Sequence, residues 1–142
     1  MKRTIIILSA SVLLILSACT PADNTAQPVQ EDVKEQSSAD FTVTNPQPNT
    51  TVAFPLIISG EAKGGWYFEG VFAIKLLDAN GVQLAFATAT AQGDWMTDSM
   101  VPFTSTIPSA APTTATGKLV FEADNPSGLS SNAKSFEVPV SF

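Results

Sequence analysis

From residue 40 to residue 142 apolar side chains recur at every second position in short runs, and no window carries them at the 3.6-residue spacing of an amphipathic helix. Successive side chains of an extended backbone point to opposite faces, so each run can lay one apolar row on a core and one polar row in water. Leu56, Ile58, Gly60 and Ala62 share one parity. So do Phe72, Ile74 and Leu76, then Leu119, Phe121 and Ala123, and lastly Phe136, Val138, Val140 and Phe142. Phe41-Thr42-Val43 and residues 51–54 supply shorter pieces expected at an edge. Residues 94–103 are expected to form a strand with Trp95, Val101 and Phe103 on one face. Residues 82–91 should pair with the Phe72 strand, although alternating Ala and Thr leave their facing open. The runs are cut by Asn45-Pro46-Gln47-Pro48-Asn49, Asp78-Ala79-Asn80-Gly81 and Asp124-Asn125-Pro126-Ser127-Gly128, all rich in turn residues. Asn80-Gly81 suits a type I′ hairpin turn, which needs positive φ at both central positions. Residues 104–116 show no period and are expected to cross between layers. Roughly seven to eight half-apolar strands must cover one another's inner faces, so the expected fold is all-β, an antiparallel two-sheet sandwich over residues 40–142.

Ahead of this region the chain has a different character. Lys2 and Arg3 precede an apolar run over residues 5–16, broken only by Ser9, Ala10 and Ser11. Crossing ~30 Å of hydrocarbon takes ~20 helical residues, so the run is too short for a span and suits the core of a signal peptide. It ends in Leu16-Ser17-Ala18-Cys19, which resembles the bacterial lipobox, where small residues precede a cysteine that receives a diacylglycerol thioether before cleavage. The expected organisation is a lipoprotein signal peptide over residues 1–18, then a lipidated Cys19 and flexible tether over 19–39, then the domain. Residues 20–39 lack aromatics and are rich in Pro, Gln, Ser, Asp and Glu, so they cannot bury enough apolar surface to offset their ordering entropy. Two or more acyl chains hold a protein on a membrane where one binds only reversibly. The expected location is the extracytoplasmic face of a bacterial membrane, in the cell envelope.

Composition narrows the chemistry. With one Cys and no His, the usual zinc sites, a Ser-His-Asp or Cys-His constellation and an internal disulfide are excluded. A net charge of −6 argues against nucleic acid. Removing residues 1–18 takes away Lys2 and Arg3 and leaves a net −8, so attraction to anionic headgroups would not hold the mature chain on a membrane. No cofactor is expected.

Several ordered motifs carry a resemblance. Asn45-Pro46, Phe54-Pro55-Leu56-Ile57-Ile58-Ser59-Gly60-Glu61-Ala62, Phe68-Glu69-Gly70, Leu76-Leu77-Asp78-Ala79-Asn80-Gly81 and Val138-Pro139-Val140-Ser141-Phe142 are similar to the immunoglobulin-like domain associated with bacterial spore germination proteins, second Gmad subtype. The resemblance covers roughly residues 41–142. It implies an extracytoplasmic immunoglobulin-like sandwich, often carried on lipoproteins, with a binding or scaffolding role and no catalytic residues to carry over. The last loop departs from the family's usual Ser followed by Asp-Gly, and no companion germination domain is present, so a role in spores is not implied.

The most unusual segment is Gly64-Gly65-Trp66-Tyr67-Phe68-Glu69-Gly70, three aromatics and an acid between glycines in an inter-strand loop. Loops at a sandwich end are where binding surfaces are built, and planar rings grip peptides or stack on sugars with little entropy loss. Trp66, Tyr67 and Trp95 are therefore the candidate binding residues, with packing in the core or at a sheet edge as the alternative for each, and their convergence on the surface would mark a partner site. The family resemblance implies that Phe68 plugs the end of the core, with Glu69 serving loop amides. Asp78 with Asn80 and Asp124 with Asn125 are expected to be turn residues, since calcium needs six to eight oxygens. Asp94 and Asp98 are expected on a solvated face rather than as a glycosidase pair. No Ser sits in a nucleophile elbow. Two readings stand: a non-catalytic protein-interaction or structural module of the envelope, and a glycan-binding module for peptidoglycan or surface polysaccharide.

Overall fold

The computed structural model describes residues 37–142; the expected signal peptide, Cys19 and most of the expected tether lie outside the described residues. Eight strands follow one another: β1 (Ser37–Ser38), β2 (Phe41–Asn45), β3 (Leu56–Lys63), β4 (Val71–Asp78), β5 (Gln83–Ala91), β6 (Met100–Ile107), β7 (Thr116–Glu122) and β8 (Ser135–Ser141). They pair antiparallel in the order β1-β2-β3-β6-β5-β4-β7-β8. Ser37 and Ser38, expected as the end of the tether, instead pair with Thr42 and Phe41.

The strands form one sheet folded over on itself rather than two separate sheets. β3 and β6 pair along the whole of β3, from Leu56–Ile107 to Lys63–Met100. β5 and β6, by contrast, pair only at Thr90–Thr104 and Ala91–Phe103. Beyond that junction the Ser105 hydroxyl donates to the Thr88 carbonyl at 2.9 Å. The two arms face each other across the core. Phe41 and Phe103, on β2 and β6, meet Phe121 of β7 and Phe72 of β4 at ring separations of 5.1 and 5.0 Å. The far margins almost close. The Asn49 N–H donates to the Pro139 carbonyl at 2.8 Å, Val52 N–H to Ser141 at 2.9 Å and Ser141 N–H to Thr50 at 3.0 Å, with a parallel bridge at Thr51–Ser141. That bridge is what the expected short edge piece at 51–54 amounts to.

Period two decides the core as expected. Leu56, Ile58, Phe72, Ile74, Leu76, Leu119, Phe121, Val138 and Val140 are buried, while their chain neighbours Ile57, Lys75 and Glu137 are not; Val120 of β7, buried on the other parity, is the exception. In β5 the open question resolves to Ala87 and Ala89 inward, with Phe86, Thr88 and Thr90 outward. On the outer face Lys75 pairs with Glu122 and Lys118 with Glu137 across neighbouring strands.

Two turns depart from expectation. At Asp78-Ala79-Asn80-Gly81 only Gly81 has positive φ, so the turn is not type I′. Local side-chain bonding decides it: the buried Asp78 carboxylate accepts the N–H groups of Asn80 and Val82 at 2.9 and 2.8 Å. Its other oxygen accepts the Thr113 hydroxyl at 3.0 Å, which ties down the β6–β7 connection. The turn with two successive positive φ values is instead Phe68-Glu69-Gly70-Val71, with Glu69 at 52° and Gly70 at 79°. The strand expected over 94–103 begins only at Met100, because Asp94 and Thr97 bond nearby backbone amides at Met96 and Ser99. β6 then runs to Ile107, into the stretch expected to be a connection.

Candidate functional site

The connections β3–β4 (64–70), β5–β6 (92–99) and β7–β8 (123–134) gather at one end of the folded sheet, because the antiparallel register sets Lys63 opposite Met100, Val71 opposite Thr90 and Glu122 opposite Ser135. Direct contacts join them. Gly64 approaches the β5–β6 loop so closely that a Cβ there would lie 2.3 Å from the Trp95 carbonyl oxygen and 2.0 Å from that of Thr97. The Asp124 N–H points to the Trp66 carbonyl at 3.4 Å, and a Cβ on Gly65 would lie 3.9 Å from the Lys134 ammonium. At the root of this end the Lys63 N–H donates to the Asp40 carbonyl at 3.0 Å, and the Lys63 ammonium pairs with the Asp40 side chain. Hydrogen bonding to Lys63 holds the Asp40 carboxyl below its ordinary range.

Trp66 and Tyr67 take the core alternative, and Phe68 departs from expectation by staying out of the core. Gly64–Trp66 forms one turn of 3-10 helix, which rotates Trp66 into the core, where it is 4% exposed and its ring lies 4.2 Å from that of Phe41. The Trp66 Nε1–H has no hydrogen-bond partner among the described residues. Tyr67 is 6% exposed, packs on Phe72 at 5.2 Å and donates its hydroxyl to the Val101 carbonyl at 2.8 Å. Burial, reinforced by the Glu61 carboxylate, pushes the Tyr67 phenol up to about 12. Phe68, expected to plug the core, is 44% exposed, its backbone held in the tight turn to Val71. Of the three candidate binding rings, two are thus core residues, and only Trp95 reaches the surface.

What the loops do expose is aliphatic and aromatic in mixture. Phe68 comes from β3–β4, Met96 (77% exposed) from β5–β6 and Leu129 (59% exposed) from β7–β8. Period-two reasoning is silent on a loop residue such as Leu129 and put Met96 on the outer face of an expected strand, which is why neither was among the expected site residues. A cavity of about 370 Å³ opens between the first two loops, lined by Gly64, Gly65, Tyr67, Trp95, Thr97 and Asp98, with Met96 at its side. Trp95 is half-buried, and a side chain at Gly70 would meet its indole at 3.3 Å, so the ring rests on that turn. Among the described residues no group of three or more acidic side chains is placed to hold a metal.

Comparison with curated proteins gives no match, and comparison with solved structures gives none. A family model, that of the immunoglobulin-like domain of bacterial spore germination, matches residues 41–130, which takes in strands β2 to β7 and the β7–β8 loop as far as Ser130 and stops short of β8. That span holds most of the folded region, including the turn at Phe68-Glu69-Gly70 and the buried carboxylate of Asp78, and the chain therefore belongs to the Gmad2 family of immunoglobulin-like domains.

Proposed function

We propose that this protein is a non-catalytic interaction module of the bacterial cell envelope, tethered to the extracytoplasmic face of a membrane by lipid on Cys19. The observation that carries the interaction reading is the joint exposure of Phe68, Met96 and Leu129 on three loops at one end of the sheet, the β3–β4 loop touching each of the other two. Isolated exposed apolar residues are ordinary, but several brought together at one end and rimmed by polar groups mark a contact surface. A β-framework with paired strands behind these loops holds them without ordering cost on binding. The anchor rests on Leu16-Ser17-Ala18-Cys19 behind the apolar run. Burial of Trp66 and Tyr67 removes most of the stacking surface that a glycan module would use.

Photo-crosslinking in cells tests the surface. A photoreactive residue in place of Met96 should trap protein adducts, while the same group in place of Val82, exposed at the opposite end, should not; the reverse pattern would overturn the reading. Mass spectrometry of the mature N-terminus tests the anchor: an acylated Cys19 is expected, and an intact Met1 or an unmodified Cys19 would contradict it.

A further inference from the structure

On the reading of the loop end as a contact surface, we infer that its partner is a protein surface that combines apolar side chains with lysine or arginine. Each of the three loops that expose these apolar residues also carries acid. Glu69 follows Phe68, Asp94 and Asp98 flank Met96, and Asp124 stands in the loop that carries Leu129. Three of the described lysines are already paired: Lys63 with Asp40, Lys75 with Glu122 and Lys118 with Glu137. Glu69, Asp94, Asp98 and Asp124 have no ion-pair partner among the described residues, and the cations near them are Lys134 and Lys63, the latter paired with Asp40 while also feeling the charge of Asp98.

The contrast with the outer face of β4, β7 and β8 is informative. There each cation is matched by a carboxylate on the next strand, so the face is neutral and internally satisfied. At the loop end the negative charge is left over, next to apolar groups and around the cavity at Trp95. Bringing an acidic surface onto that rim would set like charges together, whereas a basic one would be steered toward it and matched on contact. An anionic bilayer is disfavoured for the same reason.

The test uses the full chain and two synthetic amphipathic peptides, one alternating Leu with Lys and the other alternating Leu with Glu, with binding followed by backbone amide shifts. The Leu/Lys peptide should bind, weaken as salt rises, and shift amides of residues 64–70, 92–99 and 123–134; the Leu/Glu peptide should not bind. Replacing Asp94 and Asp98 together by Asn, which preserves the acceptor for the Met96 N–H, should weaken binding roughly three- to tenfold and flatten its salt dependence. Replacing Phe68 and Met96 by Ser should abolish it. If the Asn pair changes nothing, or both peptides bind alike, the basic-partner inference falls while the contact surface stands. Shifts confined to the face around Phe86 would bring down the contact surface itself. Zwitterionic phosphatidylcholine vesicles that shift the loop amides as strongly as the Leu/Lys peptide would make lipid the occupant and overturn the inference.

Discussion

The Tyr67 hydroxyl donates to the Val101 carbonyl across 2.8 Å, joining the β3–β4 connection to the start of β6 inside the core. An exposed ring could not make this bond, and its presence explains why a tyrosine in a loop is a structural residue. Tyr67→Phe leaves the Val101 carbonyl without that donor at nearly constant volume. A loss of ~1–2 kcal/mol is expected, or ~4–8 °C in Tm per kcal/mol, measurable by thermal melts. Ultraviolet titration is unambiguous, since this is the sequence's one tyrosine. Its phenol is raised from 10.0 to about 12 in the fold, so its contribution is fully present below pH 10.0 and is lost as pH climbs toward about 12. Ionisation at the ordinary value in the folded protein would contradict the burial.

Trp66 and Phe68 should separate sharply in stability. Trp66→Ala removes a ring packed against Phe41 and Phe72 and is expected to cost ~3–5 kcal/mol. Phe68→Ala, at an exposed turn, should stay within ~0.5 kcal/mol by chemical denaturation. Because the Trp66 Nε1–H makes no bond among the described residues, Trp66→Phe should cost less than Trp66→Ala and owe its cost to lost volume alone.

Gly64→Ala probes the assembly of the loop end. A methyl group there would meet the backbone oxygens of Thr97 and Trp95, and backbone cannot swing aside as a flexible side chain can. Displacement of the β5–β6 loop and a loss of ~1–3 kcal/mol are expected. Amide shifts should move at residues 92–99 while those of β7 stay in place. Uniform shifts throughout the sheet would argue against a local contact.

Asp78 carries an acid-side prediction. Hydrogen bonds from Val82, Thr113 and Asn80 hold its carboxyl below the ordinary value of 3.8, the Val82 N–H contributing most. A carboxyl lowered by folding stabilises the protein above its unfolded value and ceases to do so as pH falls through the folded one. Asp78→Asn keeps an oxygen for the two N–H groups and removes the titration, so its stability should decline less steeply than that of the native chain below about pH 4. A carbon-detected NMR titration that finds Asp78 at or above 3.8 would refute this.

How far the sequence carries can be seen residue by residue. Ile58, Ile74, Phe121 and Val138 are assigned to the core by parity alone, because an extended backbone alternates its side chains whatever surrounds it. The motifs around Asn45-Pro46, Phe68-Glu69-Gly70 and Asp78 likewise identify the family before any coordinate is consulted. Leu16-Ser17-Ala18-Cys19 lies outside the described residues, and the lipid anchor read from it stands as a proposal.

Position in the loops was not legible. One turn of 3-10 helix turns Trp66 inward, and two successive positive φ values carry Phe68 outward, reversing the roles that hydrophobicity alone would assign. The closure of one sheet upon itself depends on where β5 leaves β4 for β6, a choice among partners more than ten residues apart in the chain. Alternation is a local property of each strand, so sequence by itself determined the family and the inward faces of β3, β4 and β8, though neither the bounds of β6 nor the facing of β5. Which loops meet, which rings they bury and which acids they leave unpaired depend on contacts between distant segments, and only the tertiary structure decided them.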